Sequence, residues 1–330
     1  MMRMTVLASG SKGNSTVISS SRTRVLVDAG LSCREILKRM ALAGEDPATL
    51  DAILITHEHI DHVAGLAVLA RRLNIPVYLT EPTHRAWVRM VTPRTTMTYA
   101  KWLDHVQQEK EARAAAVAEA ATNPETLDPE TQNPGAPFFA ASSQRVGSTD
   151  LCEPVLPTKS NPARLPAVEY FHSGTSFCIG DLDITPFTIP HDAADPCGFV
   201  FAAEGLRMAV ATDLGYMPPN VKAALQHIDA LLLESNHDLE MLRDGPYPWS
   251  VKQRVLSRVG HLSNHATAEF LSTDYDGGAS YIVLGHLSES NNAPELARIA
   301  AEQALVDRPK LLGNRVLLAM QSTPLEPITL

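Results

Sequence analysis

The chain has 330 residues, 45% of them hydrophobic and 20% charged, with a formal net charge of −9. This composition excludes disordered and fibrous classes, and the acidic balance argues against gripping nucleic acid through a broadly basic surface. No apolar run approaches the ~18 residues of a membrane helix, so no membrane partner is expected. The N-terminal Met1-Met2-Arg3-Met4 lacks a signal peptide's apolar segment, and Cys33, Cys152, Cys178 and Cys197 form no CxxC pair. A cytoplasmic chain is expected.

Residues 4–8 read as a strand ending in the loop Ser9-Gly10-Ser11-Lys12-Gly13-Asn14-Ser15. That loop lacks the P-loop spacing and reads either as a hairpin turn or as a nest of backbone N–H groups suited to an anion. Strands follow over 16–19 and 23–27, and Asp28 reads as a turn-former. Ser32 starts a helix running to about residue 43, with Glu35 placed to complete a capping box and Gly44 and Pro47 to end it.

The apolar run Ile53-Leu54-Ile55-Thr56 then leads into His57-Glu58-His59-Ile60-Asp61-His62. His57 and His59 lie two apart, so in extended chain they share a face and can grip one ion. Asp61 and His62, offset by the turn, can reach a second. Imidazole with carboxylate suits zinc, manganese or iron(II). An exposed polar loop is the plainer reading, but three histidines and an aspartate directly after a core strand speak against it. A helix over 63–72, a strand over 77–80 and a helix over 83–90 follow.

From about residue 93 to 166 the composition changes. An alanine-rich helical stretch over 101–121 gives way to a region dense in Pro, Thr, Asn and Ser, read as a surface insertion within one domain spanning 1–330. Strands resume at 168–171, 176–179 and 182–189, and His191 stands at a strand end. A hairpin turning at Glu204-Gly205 delivers Asp213, a carboxylate placed either to bridge two cations or to cap a turn. A helix over 221–227 and a strand over 229–233 lead to Glu234. His261 sits between helices over 251–259 and 265–271, and a helix cap is its plain reading. His286 falls two residues after a strand over 281–284. Pro294 opens a last helix, and 315–319 reads as an edge strand. His84, His105, His172, His227, His237 and His265 read as ordinary core or surface residues.

The hexapeptide is the HxHxDH signature of the metallo-β-lactamase superfamily, and its companions resemble the YycJ (WalJ) branch, a group of bacterial metal-dependent exonucleases. Those companions are the loop at 9–15, Asp28-Ala29-Gly30-Leu31-Ser32-Cys33-Arg34, His191-Asp192-Ala193, Thr212-Asp213-Leu214-Gly215, Leu233-Glu234-Ser235-Asn236-His237-Asp238, Gly260-His261-Leu262-Ser263-Asn264 and Gly285-His286-Leu287-Ser288. The resemblance implies a four-layer αββα sandwich of the α/β class and two divalent metal ions, zinc or manganese. It gives one ion His57, His59 and His191, the other Asp61, His62 and His286, with Asp213 shared. It implies that Asp28 orients a ligand histidine, that Asp61 positions the nucleophile, and that His261, set by Glu234, protonates the leaving group. It makes Ser9, Lys12, Asn14 and Ser15 the expected phosphate contacts. The activity implied is a phosphodiesterase, a 5′-to-3′ DNA exonuclease with a role in mismatch repair, and DNA is the expected partner. Nearby basic residues (Lys12, Arg34, Lys38, Arg39, Lys252, Arg254, Arg258) are candidates to line a groove, although solvated helix faces are their plainer reading. Two rivals fit the same residues: a hydrolase of small esters or thioesters, and a non-catalytic metal-binding regulator.

Overall fold

The computed structural model describes residues 1–92, 162–306 and 314–330. Its first half supplies β1 (Arg3–Ala8), β2 (Ser15–Ser19), β3 (Arg24–Val27), α1 (Cys33–Leu42), β4 (Ala52–Leu54), α2 (Ile60–Val63), α3 (Leu66–Leu73), β5 (Val77–Leu79) and α4 (Glu81–Val91). After the insertion come β6 (Val168–Tyr170), β7 (Phe177–Ile179), β8 (Leu182–Thr188), β9 (Cys197–Ala203), β10 (Leu206–Ala211), α5 (Pro219–Ala224) and β11 (Ala230–Glu234). The chain continues with α6 (Leu239–Asp244), α7 (Trp249–Val255), α8 (Asn264–Thr273), β12 (Tyr281–Gly285), α9 (Pro294–Val306), β13 (Arg315–Leu318) and β14 (Ile328–Thr329).

The strands form two seven-stranded sheets, ordered β14-β1-β2-β3-β4-β5-β6 and β13-β12-β11-β10-β9-β8-β7. Period-two alternation decides what each face buries. Met4, Val6, Ile18, Val25, Val27 and Leu54 point from the first sheet into a central core, where Leu182, Ile184, Phe199, Phe201, Val210 and Leu232 meet them from the second. The intervening residues Leu7, Val17, Leu26 and Ile53 face outward and are covered by α1, α3 and α4 through Ile36, Met40, Leu66, Leu69 and Trp87. On the far side, Ala209, Leu231, Leu233, Ile282 and Leu284 carry α5, α8 and α9 through Val221, Phe270, Leu271, Ala297 and Ala301. The expected αββα sandwich is therefore borne out, because strands with two apolar faces must be covered on both.

Boundaries moved where local contacts overrode pattern. The helix expected over 63–72 is broken, with α2 ending at Val63 and α3 starting at Leu66. The Gly65 N–H instead donates to Ala29 O at 2.8 Å. The Ser32 cap forms, its hydroxyl accepting from Glu35 N at 3.3 Å. The return half of the capping box does not, because the Glu35 carboxylate takes Arg39 Nε at 2.8 Å. The expected insertion, with its helix over 101–121, lies outside the described residues up to 161. Just beyond, Ala163 and Leu165 already pack on the outer core of the first sheet.

Candidate active site

The parallel parts of the sheets place the site. β3 pairs with β4 in parallel, and β10, β11 and β12 are successive parallel neighbours. Asp28, the His57–His62 stretch, Asp213, Glu234 and His286 all lie at the C-terminal ends of these strands. In open α/β sheets this edge is where side chains converge on a ligand. Asp28, Asp213 and His286 take left-handed backbone, with φ of 61°, 64° and 55°. Non-glycine residues rarely hold this conformation, and it persists where the surroundings over-determine it.

Four of the histidines are oriented by partners that accept at Nδ1. His62 donates from Nδ1 to Asp28 Oδ2 at 2.8 Å. The Thr56 hydroxyl also donates to Asp28 Oδ2, at 2.9 Å, and so is left to accept from His57 Nδ1 at 3.0 Å. His191 Nδ1 donates to Gly260 O at 3.2 Å, and His286 Nδ1 to Glu234 Oε1 at 2.9 Å. These acceptors fix the tautomers and leave Nε2 of all four rings for the interior. There the ring nitrogens and carboxylates gather. His191 Nε2 lies 3.2 Å from His59 Nδ1. His62 Nε2 lies 3.3 Å from Asp213 Oδ2 and 3.6 Å from Asp61 Oδ2, and His286 Nε2 lies 3.5 Å from Asp61 Oδ2.

The seven expected ligands are thus brought together, in groups of donor atoms that each span no more than 4.8 Å: His57, His59 and His191; His57, His62 and Asp213; Asp61, His62 and His286. His57 Nε2, His286 Nε2 and Asp213 Oδ2 are buried without a hydrogen-bond partner. Each such atom would cost about 1–3 kcal/mol if nothing ever satisfied it. Imidazole nitrogens and carboxylate oxygens in this arrangement suit a divalent cation, so the residues fit.

Electrostatics follow the packing. Burial pushes His57 well below the ordinary imidazole range, with the nearby His62 adding to the effect. Burial also opposes charge on Asp213, yet His286, His62, His57 and His191 hold its carboxyl well below the usual range. Burial likewise opposes charge on His62, but Asp213, Asp28 and Asp61 raise it to about 9.

Glu234 serves two rings. Oε1 accepts from His261 Nδ1 at 2.8 Å as well as from His286, while Oε2 accepts from Leu214 N at 2.5 Å and Leu262 N at 3.4 Å. Burial resists its ionisation, but His261 and His286 together keep the carboxyl below its usual range. His261 Nε2 is left for the cleft of about 240 Å³ that opens over the cluster, lined by His261, His59, Asp61, Asp213, His286 and Arg254 among others. A larger hollow of about 590 Å³ between α8 and α9 contains none of the expected ligands.

The loop at 9–15 behaves differently from expectation. Ser9 and Ser15 are buried and committed, Ser9 Oγ accepting from His286 N at 2.7 Å and Ser15 Oγ donating to Asp28 O at 2.9 Å. Asn14 is buried too, its amide nitrogen 3.0 Å from His62 Nε2 and 3.4 Å from Asp61 Oδ2. Lys12 is exposed and pairs with Glu289 at 2.5 Å. The residue of this loop that lines the cleft is Ser11. The loop therefore braces the expected ligands, because its short polar side chains are consumed by groups that the strand ends leave bare. Thr56, Asn236, whose amide holds His286 O at 2.7 Å, and the Gly260 carbonyl were not anticipated as supports. The adjacency of Thr56 to His57 was the only local signal for any of them. His237, beside Glu234 in sequence, is buried but stands outside the ligand groups. His84 bonds Tyr170, and His227 pairs with Asp276.

Family models agree with this geometry. The metallo-beta-lactamase superfamily model matches residues 8–98, and the beta-lactamase superfamily domain model matches 125–286. The chain belongs to the metallo-β-lactamase superfamily, a fold that implies divalent metal binding. Within it the chain is of the WalJ/YycJ type. It is 33% identical over 297 residues to exodeoxyribonuclease WalJ of Streptococcus pneumoniae, covering 90% of this chain and 86% of that one. Exodeoxyribonuclease YycJ of Bacillus anthracis is 31% identical over 307 residues, with coverage of 93% and 90%. Among solved structures, the metallo-beta-lactamase fold protein YhfI from Bacillus subtilis aligns with a TM-score of 0.58 at 13% identity, over 99% of this chain and 100% of that one. Zinc-bound PqqB from Methylobacterium extorquens gives 0.56 at 16%, over 99% and 100%.

Proposed function

We propose that the chain is a dinuclear metal-dependent phosphodiesterase that digests DNA from a 5′ end in the cytoplasm. The observation that carries this reading is the set of four buried histidines, each tied at Nδ1 and turning Nε2 inward beside Asp61 and Asp213, with His261 at the cleft above them. The names of the relatives, both exodeoxyribonucleases, support the choice of DNA. His57, His59 and His191 would hold one zinc or manganese ion, Asp61, His62 and His286 the other, and Asp213 both. When bound, such a pair supplies Lewis acidity at the phosphoryl group and water acidified toward neutral pH.

The protein's own groups do the rest. Asp61, partly exposed at the cleft, orients the attacking water. His261 carries a proton at Nε2, and Glu234 fixes its ring through Nδ1. As the phosphorus–oxygen bond breaks, that proton passes to the departing sugar oxygen, and the ring recovers one from solvent through the cleft. Ser11 is the residue of the N-terminal loop that substrate can reach. The test is cleavage of 5′-labelled and 3′-labelled DNA, with RNA alongside, by the zinc- or manganese-loaded chain. Release of 5′ nucleotides, lost in His57→Ala, is expected. Hydrolysis of small esters without cleavage of DNA would overturn the reading, as would full DNA cleavage by His57→Ala.

A further inference from the structure

An acidic protein that acts on a polyanion needs its positive charge concentrated where the strand lies. The basic residues nearest the ligand motifs are mostly turned away. Lys12 pairs with Glu289, Lys252 donates to Arg243 O at 2.6 Å, and Arg258 lies over the Tyr216 ring at 4.4 Å. Arg254 is different. Among the described residues it is the only lysine or arginine lining the cleft that also exposes His261, Asp61 and Asp213.

Its guanidinium is held from one side. Nε and Nη2 donate to the two oxygens of Asp192 at 2.6 and 2.9 Å, a fork-to-fork pair. Asp192 follows the ligand His191 directly, and its Oδ1 lies 3.5 Å from His191 Nε2. The pair therefore sets the guanidinium at a fixed place relative to the metal ligands. Nη1 has no partner among the described residues, and the side chain is 49% exposed. A planar fork with one edge anchored and the other edge open to a cleft suits a phosphate oxygen better than a flexible ammonium does.

The geometry points to Arg254 as the residue that binds a backbone phosphate of the nucleic acid beside the reacting one, with Asp192 as its positioning residue. This rests on the phosphodiesterase reading and deepens it: the substrate class is one with a second phosphate adjoining the bond that is cut.

The test is binding of a cleavage-resistant phosphorothioate DNA by the metal-loaded chain across a salt series, with turnover of ordinary DNA measured in parallel. Removing one phosphate contact lowers the slope of log affinity against log salt by about 1 and weakens binding by roughly tenfold at low salt. Arg254→Ala should show both effects, and Arg254→Lys should restore the slope but not the full affinity. Asp192→Asn keeps the charge of Arg254, so it should leave the slope intact and raise the KM for DNA more than it lowers kcat. Arg298→Ala removes an equal charge from the far helix α9 and should change neither. Equal slopes for Arg254→Ala and the wild-type chain overturn the inference, as does a wild-type chain that does not bind DNA. A wild-type chain that binds DNA without cutting it defeats the phosphodiesterase reading, while the slopes still decide the role of Arg254.

Discussion

Replacing Glu234 by glutamine changes no volume and removes one charge from a fully buried position. The carboxylate accepts four N–H groups, two imidazoles on Oε1 and two backbone amides on Oε2. An amide has one oxygen. Whichever way it is turned, its NH2 faces two donors. With hydrogen bonds to charged groups worth about 1.5–3 kcal/mol each, losing one pair should cost roughly 3–5 kcal/mol. For a chain of this size that corresponds to a fall in Tm of roughly 4–7 °C. His286 loses its orienting partner at the same stroke, so metal affinity should drop roughly 10–100-fold. The assay is thermal unfolding with and without chelator, together with the metal content of dialysed protein. A Glu234→Gln variant that melts with the wild type in chelator and keeps its metal would refute the shared brace, and with it the link drawn between His286 and His261.

Three further outcomes are expected. His261→Ala should keep its metal but lose roughly 10²–10⁴-fold in kcat on DNA, and far less on a diester with a p-nitrophenol leaving group that needs no proton; an equal loss on both substrates would remove the general acid. The raised pKa of His62, about 9, stabilises the metal-free fold below the unfolded value near 6.5 and fades as pH rises through 9. A cation must displace that proton, so the gain in Tm on adding zinc should grow from about pH 6.5 to about pH 9, and a flat profile would contradict the ligand role. Gly30→Ala should cost at least about 1–3 kcal/mol by overpacking. Its new Cβ would lie 1.7 Å from Asp61 O and 2.6 Å from Asn14 N, so it should also shed metal on dialysis.

The site was legible in the sequence to the extent that it is local. His57, His59, Asp61 and His62 come from one turn, and their chemistry could be read from spacing. His191 and His286 were expected as ligands only through family resemblance, since nothing local separates a ligand histidine from a structural one at a strand end, and the residues alone left Asp213 open between a bridge and a turn cap. The sharing of Glu234 was not legible at all. It depends on the parallel register that sets Glu234 opposite Gly285, and so places His286 one residue beyond the pair. The same limit explains the loop at 9–15. Its glycines and hydroxyls suggest an anion, but Ser9 meets its partner 277 positions away, at His286 N. The strands were readable wherever one face is polar, as in β8, whose exposed Asp183 and Thr185 alternate with buried Leu182 and Ile184. The two-residue strand β14, which closes the edge beside β1, carries too little pattern to be seen.

On the proposed ligand assignment each ion is held from both sides of the sandwich: His57 and His59 follow a strand of the first sheet and His191 one of the second, while Asp61 and His62 oppose His286 in the same way. The cations then act as rivets as well as reagents. A cell short of metal would accumulate protein with its two halves less firmly joined, and quality-control proteases act on such openings. The amount of this protein, and not only its turnover number, should therefore track metal supply.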